Sequence, residues 1–188
     1  MKVTYISHSG FLIETENCLF LFDYYEGKIP PLSQEKPLFI FVSHWHSDHF
    51  NPEIFSIRHE KVHYILSHDT RKHLPAGISP ENLCFMKPEE KLDFTLEDGN
   101  EHFTVETLKS TDYGVAFLIY YRRKYLYHAG DLNWWVWQGE TKQYNSNMTA
   151  NFLHYTKPLE NLDIWAAFLP LDPRQEAVSY THLRAHET

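Results

Sequence analysis

LFIFVSHWHSDHF, residues 38–50, joins an uninterrupted apolar run to a cluster of potential metal ligands. Residues 38–42 are all apolar, which is typical of a β-strand buried on both faces. Directly after Ser43 come four side chains that can bind a metal ion: His44, His46, Asp48 and His49. Imidazole and carboxylate together suit zinc, iron or manganese. We therefore predict a metal site where the strand ends, because a buried strand fixes its first ligand rigidly.

The spacing within this cluster allows its members to serve two ions. His44 and His46 are two residues apart, so their side chains point the same way if the backbone is extended. Asp48 and His49 follow the turn and can reach a second ion beside the first. The alternative is a solvated polar loop in which Asp48 helps to cap the next helix. Three histidines and an aspartate after a buried strand favour the metal site.

Further strands are predicted on both sides of this stretch. Residues 3–7 form a short β-rich run, and residues 10–13 and 18–22 surround a polar turn, which indicates a hairpin. After the cluster, Asn51 and Pro52 open a predicted helix that continues to Glu60. A longer helix is predicted over residues 141–155. The remaining strand candidates are residues 62–66, 83–85, 92–94, 102–108, 114–121, 125–128 and 164–169, with an Asp98-Gly99 hairpin turn. Strands with helices between and after them indicate an α/β or α+β class.

Composition narrows the function classes. A chain of 188 residues suits one domain with a substantial core. The net charge of -8 argues against a nucleic-acid partner held by phosphate contacts. Two cysteines cannot build a disulfide framework or a cysteine-rich zinc site. The N-terminus lacks a signal-like apolar run, and no stretch approaches the ~20 apolar residues that cross a bilayer. We expect a cytoplasmic protein without a membrane partner, and the sequence leaves its oligomeric state open.

Residues 44–49 resemble the His-x-His-x-Asp-His signature of the metallo-β-lactamase-fold hydrolases. Residues 5–13 look like the opening strand pair of that family, in the branch similar to the ascorbate-phosphate lactonases. Residues 21–23 are similar to the family strand that ends in aspartate, and residues 127–131 are similar to a later strand. The resemblance covers about residues 3–172. It implies an αββα sandwich, with two mixed β-sheets packed between outer helices and the site at one edge.

The resemblance also implies a ligand set and a reaction. His44 and His46 would bind the first metal, Asp48 and His49 the second, and Asp131 would bridge both. The cofactor would be one or two Zn²⁺ ions, with Mn²⁺ or Fe as alternatives. Asp48 would be catalytic, orienting the attacking water or sharing its proton. The substrate would be a small-molecule ester, lactone or phosphodiester. The alternative for Asp131 is a turn residue after a glycine, since Gly-Asp is common in turns.

The sequence departs from the family where a third histidine is expected for the first metal. Residues 109–114 read Lys-Ser-Thr-Asp-Tyr-Gly, so no histidine is present there. Asp112 could bind through oxygen, or the first site could be open or weak. Asp112 could also be a simple turn residue, because aspartate favours turns. His8 is a further candidate for the metal or the pocket, since the resembling branch carries a histidine there.

A second departure concerns the end of the chain. The last family histidine follows a helix and a strand after the segment around residues 169–174, and this chain ends before both. Residues 179–188 also resemble the translation of a sequencing-library adapter. We therefore expect an incomplete metallo-β-lactamase-like domain over residues 1–176 and a non-native tail over residues 177–188.

These observations leave one leading function and one alternative. The leading hypothesis is a metal-dependent hydrolase, in which the aromatic run 134–137 either walls the pocket or packs in the core. The alternative is a non-catalytic or weak metal-binding protein of the same fold, because the third and the last histidine ligands are missing. A nuclease of this fold is disfavoured, since binding a nucleic-acid backbone calls for a basic face.

Overall fold

The computed structural model describes residues 1–78, 82–96, 99, 101–172 and 174–175, and it consists of two facing β-sheets. The first sheet has six strands in sequence order: β1 (Lys2–Ser7), β2 (Gly10–Glu14), β3 (Leu19–Phe22), β4 (Leu38–Val42), β5 (Val62–Ser67) and β6 (Leu83–Met86). Strands β1 to β3 are antiparallel, whereas β3 to β6 run parallel. The predicted hairpin of β2 and β3 is present, with Glu14 opposite Leu19.

The second sheet has five strands in the order β11-β10-β9-β8-β7. They are β7 (Lys91–Thr95), β8 (His102–Lys109), β9 (Val115–Tyr121), β10 (Lys124–His128) and β11 (Ile164–Phe168). Only β10 and β11 pair in parallel, so this sheet is also mixed. The predicted turn residue Asp98 and the predicted tail, residues 177–188, lie outside the described part of the chain.

The main core lies between the two sheets. Phe41 of β4 is fully buried and contacts Phe117 of β9, with ring centroids 5.2 Å apart. Phe20 of β3 meets Phe103 of β8 at 5.3 Å in the same layer. All five residues of β4 are buried, as expected for a strand covered on both faces. Aromatic burial of this extent is the main source of stability in the sandwich.

Helical segments cover the outer faces. The helix α1 (Lys142–Thr156) packs against the second sheet through Phe152 and Tyr155, and Thr141 caps it by accepting from the Tyr144 amide at 3.1 Å. On the first sheet, Phe50 and Ile54 pack over the other face of β3 to β5. The structure therefore confirms the predicted sandwich of two mixed sheets. No helix among the described residues is long and apolar enough to cross a membrane.

The helix predicted to run from Pro52 to Glu60 is shorter than expected. Asn51 caps it as predicted, accepting from the Glu53 amide at 2.9 Å. The segment is a 3₁₀ helix over Pro52–Ser56, and Ile57 is already extended. Downstream, His59 bonds to the Ser33 carbonyl at 3.0 Å, and the Lys61 carbonyl accepts from the Leu38 amide of β4 at 2.8 Å. Local helix signals are overridden because the chain must enter β5 at residue 62.

Candidate metal centre

The candidate ligands meet where strands from both sheets end. In the parallel pair β3 and β4, the carboxyl ends lie at the same edge, which places Asp23 beside Ser43. The end of β10 approaches the same point, because the ring of His128 stacks on Phe22 with centroids 4.8 Å apart. Ligand sites commonly form outside the carboxyl ends of strands. The predicted site is therefore built by strand ends, with loops supplying the remaining groups.

The centre of the cluster is formed by His44, His49 and Asp131. The distance from His44 Nε2 to Asp131 Oδ2 is 3.6 Å, and that from His49 Nε2 to Asp131 Oδ1 is 3.3 Å. Both histidine side chains are fully buried, and neither Nε2 atom has a hydrogen-bond partner. A buried polar atom without a partner is costly, so such atoms usually indicate a missing ligand. These two nitrogens are therefore suited to binding one or two cations beside the Asp131 carboxylate.

All seven residues singled out in the sequence take part in this cluster. Besides the central group, three further sets of potential ligand atoms lie within 4.8 Å of one another. These sets are His44, His46 and Asp48; His46, Asp112 and Asp131; and His8, Asp48 and His49. His8 Nε2 lies 3.6 Å from Asp48 Oδ2, and both side chains are about half exposed. Four imidazoles and three carboxylates thus converge, a donor set that fits divalent zinc, manganese or iron.

Asp23 orients the ring of His49 through Nδ1, the nitrogen on the side away from Asp131. It was not predicted as a site residue. Its Oδ2 atom lies 2.7 Å from His49 Nδ1, and its two oxygens also accept from the amide and hydroxyl of Ser43 at 2.7 and 2.6 Å. Because Asp23 holds a proton on Nδ1 of His49, loss of the second proton would leave a lone pair on Nε2 directed toward Asp131, the tautomer that a metal requires. The available signal was an aspartate directly after a buried strand.

Burial and charge set the protonation of these groups. Burial alone would raise the pKa of Asp23, but the charge of His128 and the bond to His49 outweigh it and lower the pKa to about 2. Burial likewise opposes protonation of His49, yet Asp131 and Asp23 raise its pKa to about 10. Burial, and then the charge of His49, lower the pKa of His44 to about 4. His44 is therefore neutral at pH 7, whereas a metal at His49 must displace a proton.

His128 belongs to the scaffold of the site. Its Nε2 lies 3.0 Å from the Ser9 carbonyl, and the Gly130 amide donates to its Nδ1 at 3.2 Å. With both nitrogens engaged, the ring ties the end of β10 to the turn between β1 and β2. That turn carries His8, so His128 helps to hold two sides of the cluster together.

Two glycines let loops of the second sheet approach the end of β4. A Cβ atom added to Gly114, whose φ is 66°, would lie 2.0 Å from the Ser43 carbonyl oxygen. One added to Gly130, whose φ is 52°, would lie 2.6 Å from Ser43 Cβ. Glycine adopts such left-handed conformations without steric penalty. This close packing brings Asp112 and Asp131 to the histidines.

Clefts open on two sides of the cluster. A cleft of about 700 Å³ is bordered by Asp48 and Asp131 and has aromatic walls that include Tyr5, Phe11 and Trp135. A second cleft of about 550 Å³ is lined by residues that include Trp45, His46 and His73. Within the run 134–137, Trp135 borders the first cleft, while the indole of Trp134 packs on Phe152 and donates to Thr149. Trp135 therefore fits the alternative in which the run walls the pocket, and Trp134 fits the alternative in which it packs against the rest of the protein.

The family model for the "Beta-lactamase superfamily domain" matches residues 2–144, about three quarters of the chain. The chain belongs to the beta-lactamase superfamily. Within this superfamily, it is 29% identical over 146 residues to a UPF0173 metal-dependent hydrolase of Opitutus terrae, covering 70% of this chain and 63% of that protein. A UPF0173 metal-dependent hydrolase of Methanosarcina barkeri is 27% identical over 140 residues, covering 70% of this chain and 61% of that protein. The chain spans about three fifths of the length of these relatives.

Two solved structures resemble the fold of the chain over most of its length. A protein of Parabacteroides distasonis, described as a metal-dependent hydrolase, has a TM-score of 0.51 at 14% identity and covers 89% of this chain and 93% of that chain. The chemotaxis sensor ODP, solved as a peroxy diiron species, has a TM-score of 0.52 at 15% identity, with coverages of 86% and 78%. At these identities the likeness supports the fold alone, and the predicted fold class is confirmed.

Proposed function

We propose that this superfamily member is a metal-dependent hydrolase acting on a small-molecule ester, lactone or phosphodiester. The observation that carries the proposal is the pair of buried Nε2 atoms of His44 and His49, which lack hydrogen-bond partners and face the carboxylate of Asp131. The names of the two bacterial and archaeal relatives support the same activity. As a finer proposal, the substrate class lies near that of the ascorbate-phosphate lactonases.

In this proposal the cluster would hold one or two divalent ions. His44 and His46 would hold one ion, Asp48 and His49 would hold the other, and Asp131 would contribute to both. Zn²⁺ suits these donors, and Mn²⁺ or Fe are alternatives. Such ions would supply Lewis-acid chemistry, which activates water near neutral pH and polarises a carbonyl or phosphoryl oxygen. Residues 1–176 are proposed as the extent of the domain that carries the site.

The chain's own groups position the substrate and the proton. The Asp48 side chain is 46% exposed and borders the larger cleft, so it can accept a proton from the attacking water. Asp23 keeps the ring of His49 fixed through the reaction. Tyr5, Phe11 and Trp135 present aromatic faces that suit the ring or acyl part of a small substrate.

A non-catalytic or weak metal-binding role is the second candidate. It is favoured by one observation, which is that the exposed side chain of Asp112 stands where the family resemblance calls for a histidine. A weak first site would retain the fold but would not support hydrolysis.

The test is metal content combined with hydrolysis. Elemental analysis of the purified chain is expected to find one or two metal ions per chain, and His46→Ala and Asp131→Ala are expected to lose them. His102→Ala is the matched control, because that histidine is exposed on β8 and bonds only to Thr95 among the described contacts. Esters, lactones and phosphodiesters are then screened with the metal-loaded chain. Bound metal without hydrolysis would favour the second candidate, and a metal content unaffected by these substitutions would refute both.

A further inference from the structure

We propose that Asp112 supplies the third protein ligand beside His44 and His46, and that its oxygen shifts the preference of this position from Zn²⁺ toward Mn²⁺ and Fe²⁺. The inference rests on the proposed function, since it concerns the metal of the same site. It is based on the segment between β8 and β9, residues 110–114, which we call the 110–114 loop. No histidine lies in this segment, although one would be expected there from the resemblance.

The 110–114 loop is fixed at both ends against the cluster. Thr111 Oγ1 donates to the Asn133 carbonyl at 2.7 Å, and the Asn133 amide donates back to it at 3.0 Å. At the other end, the Val115 amide donates to the Ser43 carbonyl at 2.9 Å, beside the tight contact of Gly114. Asp112 is therefore held between two anchored residues. A ligand on an anchored loop keeps its geometry better than one on a free surface loop.

The carboxylate of Asp112 faces the other ligands. One of its oxygens, a ring nitrogen of His46 and an oxygen of Asp131 all lie within 4.8 Å of one another. Atoms bound to a common ion at ~2.1 Å are separated by no more than ~4.2 Å, so a small side-chain rotation completes the set. The buried and unpartnered Nε2 of His44 points to the same Asp131 carboxylate, at 3.6 Å.

Among the hydrogen bonds of the described residues, none that shapes this turn uses the Asp112 side chain. The Asp112 amide donates to the Ser110 hydroxyl at 3.1 Å, so Ser110 stabilises the local bend. An aspartate that only stabilises a turn would be expected to accept a backbone amide hydrogen bond with its own carboxylate. Among the described residues, no lysine or arginine forms an ion pair with Asp112 or Asp131. His49 can balance one of these two carboxylates when it is protonated, and a metal ion that displaces its proton would balance both.

The donor atoms decide the metal preference. With Asp112 in place of a histidine, this position has two imidazole nitrogens and a carboxylate, together with the oxygen of Asp131. Two histidines and a carboxylate with open positions are typical of iron(II) sites, and carboxylate donors also suit manganese. Zinc still binds such a set, because its intrinsic affinity is higher than that of manganese or iron. The effect of Asp112 is thus a change in the ratio of affinities.

The experiment measures the dissociation constants of Mn²⁺ and Zn²⁺ separately, by competition with a chromophoric chelator. Asp112→Asn is expected to weaken Mn²⁺ binding about tenfold or more, with a smaller loss for Zn²⁺. Asp112→His is expected to raise the preference for Zn²⁺ over Mn²⁺ by a similar factor. Asp163→Asn is the matched control, because that aspartate is exposed at the opposite end of the second sheet and pairs with Lys124.

The outcomes separate this inference from the proposed function. If the unsubstituted chain binds metal in a His46-dependent way, but both Asp112 variants keep its Mn²⁺ to Zn²⁺ affinity ratio, Asp112 is only a loop residue and the inference fails alone. If the unsubstituted chain binds neither ion, the proposed function fails and the inference fails with it. A changed ratio in both variants, with Asp163→Asn unchanged, supports it.

Discussion

At the scale of single residues, Asp23 shows how a group outside the ligand cluster controls a group inside it. It is fully buried and accepts three hydrogen bonds, from His49 and from the amide and hydroxyl of Ser43. These bonds compensate the cost of burying a carboxylate. The same bonds fix the ring of His49, so the stability of the fold and the preparation of the site depend on one side chain.

We predict that Asp23→Asn weakens metal binding about 10–100-fold, which is typical for the loss of a partner that orients a histidine ligand. The amide can no longer balance the proton on His49 Nδ1, so the ring loses its fixed tautomer and orientation. The measurement is the metal dissociation constant at pH 7, compared with Asp93→Asn, a change on β7 outside the cluster. Equal affinities in the two variants would show that Asp23 serves the fold only.

At the scale of elements, strand β4 was predicted with its observed bounds because all five residues are apolar and buried. The helix predicted over residues 141–155 is present as α1 over Lys142–Thr156, with Thr141 as its cap. The helix after Asn51 was predicted too long, because contacts distant in sequence end it. Within the site, the candidate ligands of residues 44–49 lie close together in the sequence, so the sequence alone could predict them. The role of Asp23 could not be derived, since it depends on the parallel pairing of β3 with β4.

The loop between β8 and β9 gives a prediction at this scale. Gly114→Ala is expected to cost about 3 kcal/mol or more in the free energy of unfolding, because its Cβ would collide with the Ser43 carbonyl and its φ is positive. Gly77→Ala is the matched control, since Gly77 also has a positive φ but has open space around its Cβ position. That variant should lose only roughly 1 kcal/mol. Denaturant unfolding of both variants gives the comparison, and equal losses would contradict the steric argument.

At the scale of the whole molecule, the candidate centre joins the two sheets. His44 and His49 follow β4 of the first sheet, whereas Asp131 follows β10 and Asp112 precedes β9 of the second. An ion bound by these residues would link both halves of the sandwich. Because unfolding separates these ligands, binding free energy adds to the free energy of unfolding.

Metal removal is therefore expected to destabilise the folded chain. At a free metal concentration 100-fold above the dissociation constant, the bound ion contributes about 3 kcal/mol. For a chain of this size, that corresponds to a decrease in Tm of ~5–10 °C after chelation. Thermal unfolding with and without EDTA measures the effect. His46→Ala should show a smaller difference, and an identical shift in that variant would place the stabilising ion elsewhere.

The close contact of Gly114 and Gly130 with Ser43 has a consequence for how such a protein can change over generations. Around Ser43 there is no room for an extra methyl group on either facing loop, whereas the Asp112 side chain is exposed and has space for a different ligand side chain. Over generations, the residue at position 112, and with it the proposed metal preference, could change while the packed support of Gly114, Gly130 and Ser43 stays the same. Substitutions at the exposed edge of the site are therefore tolerated more readily than substitutions in the packed support beneath it.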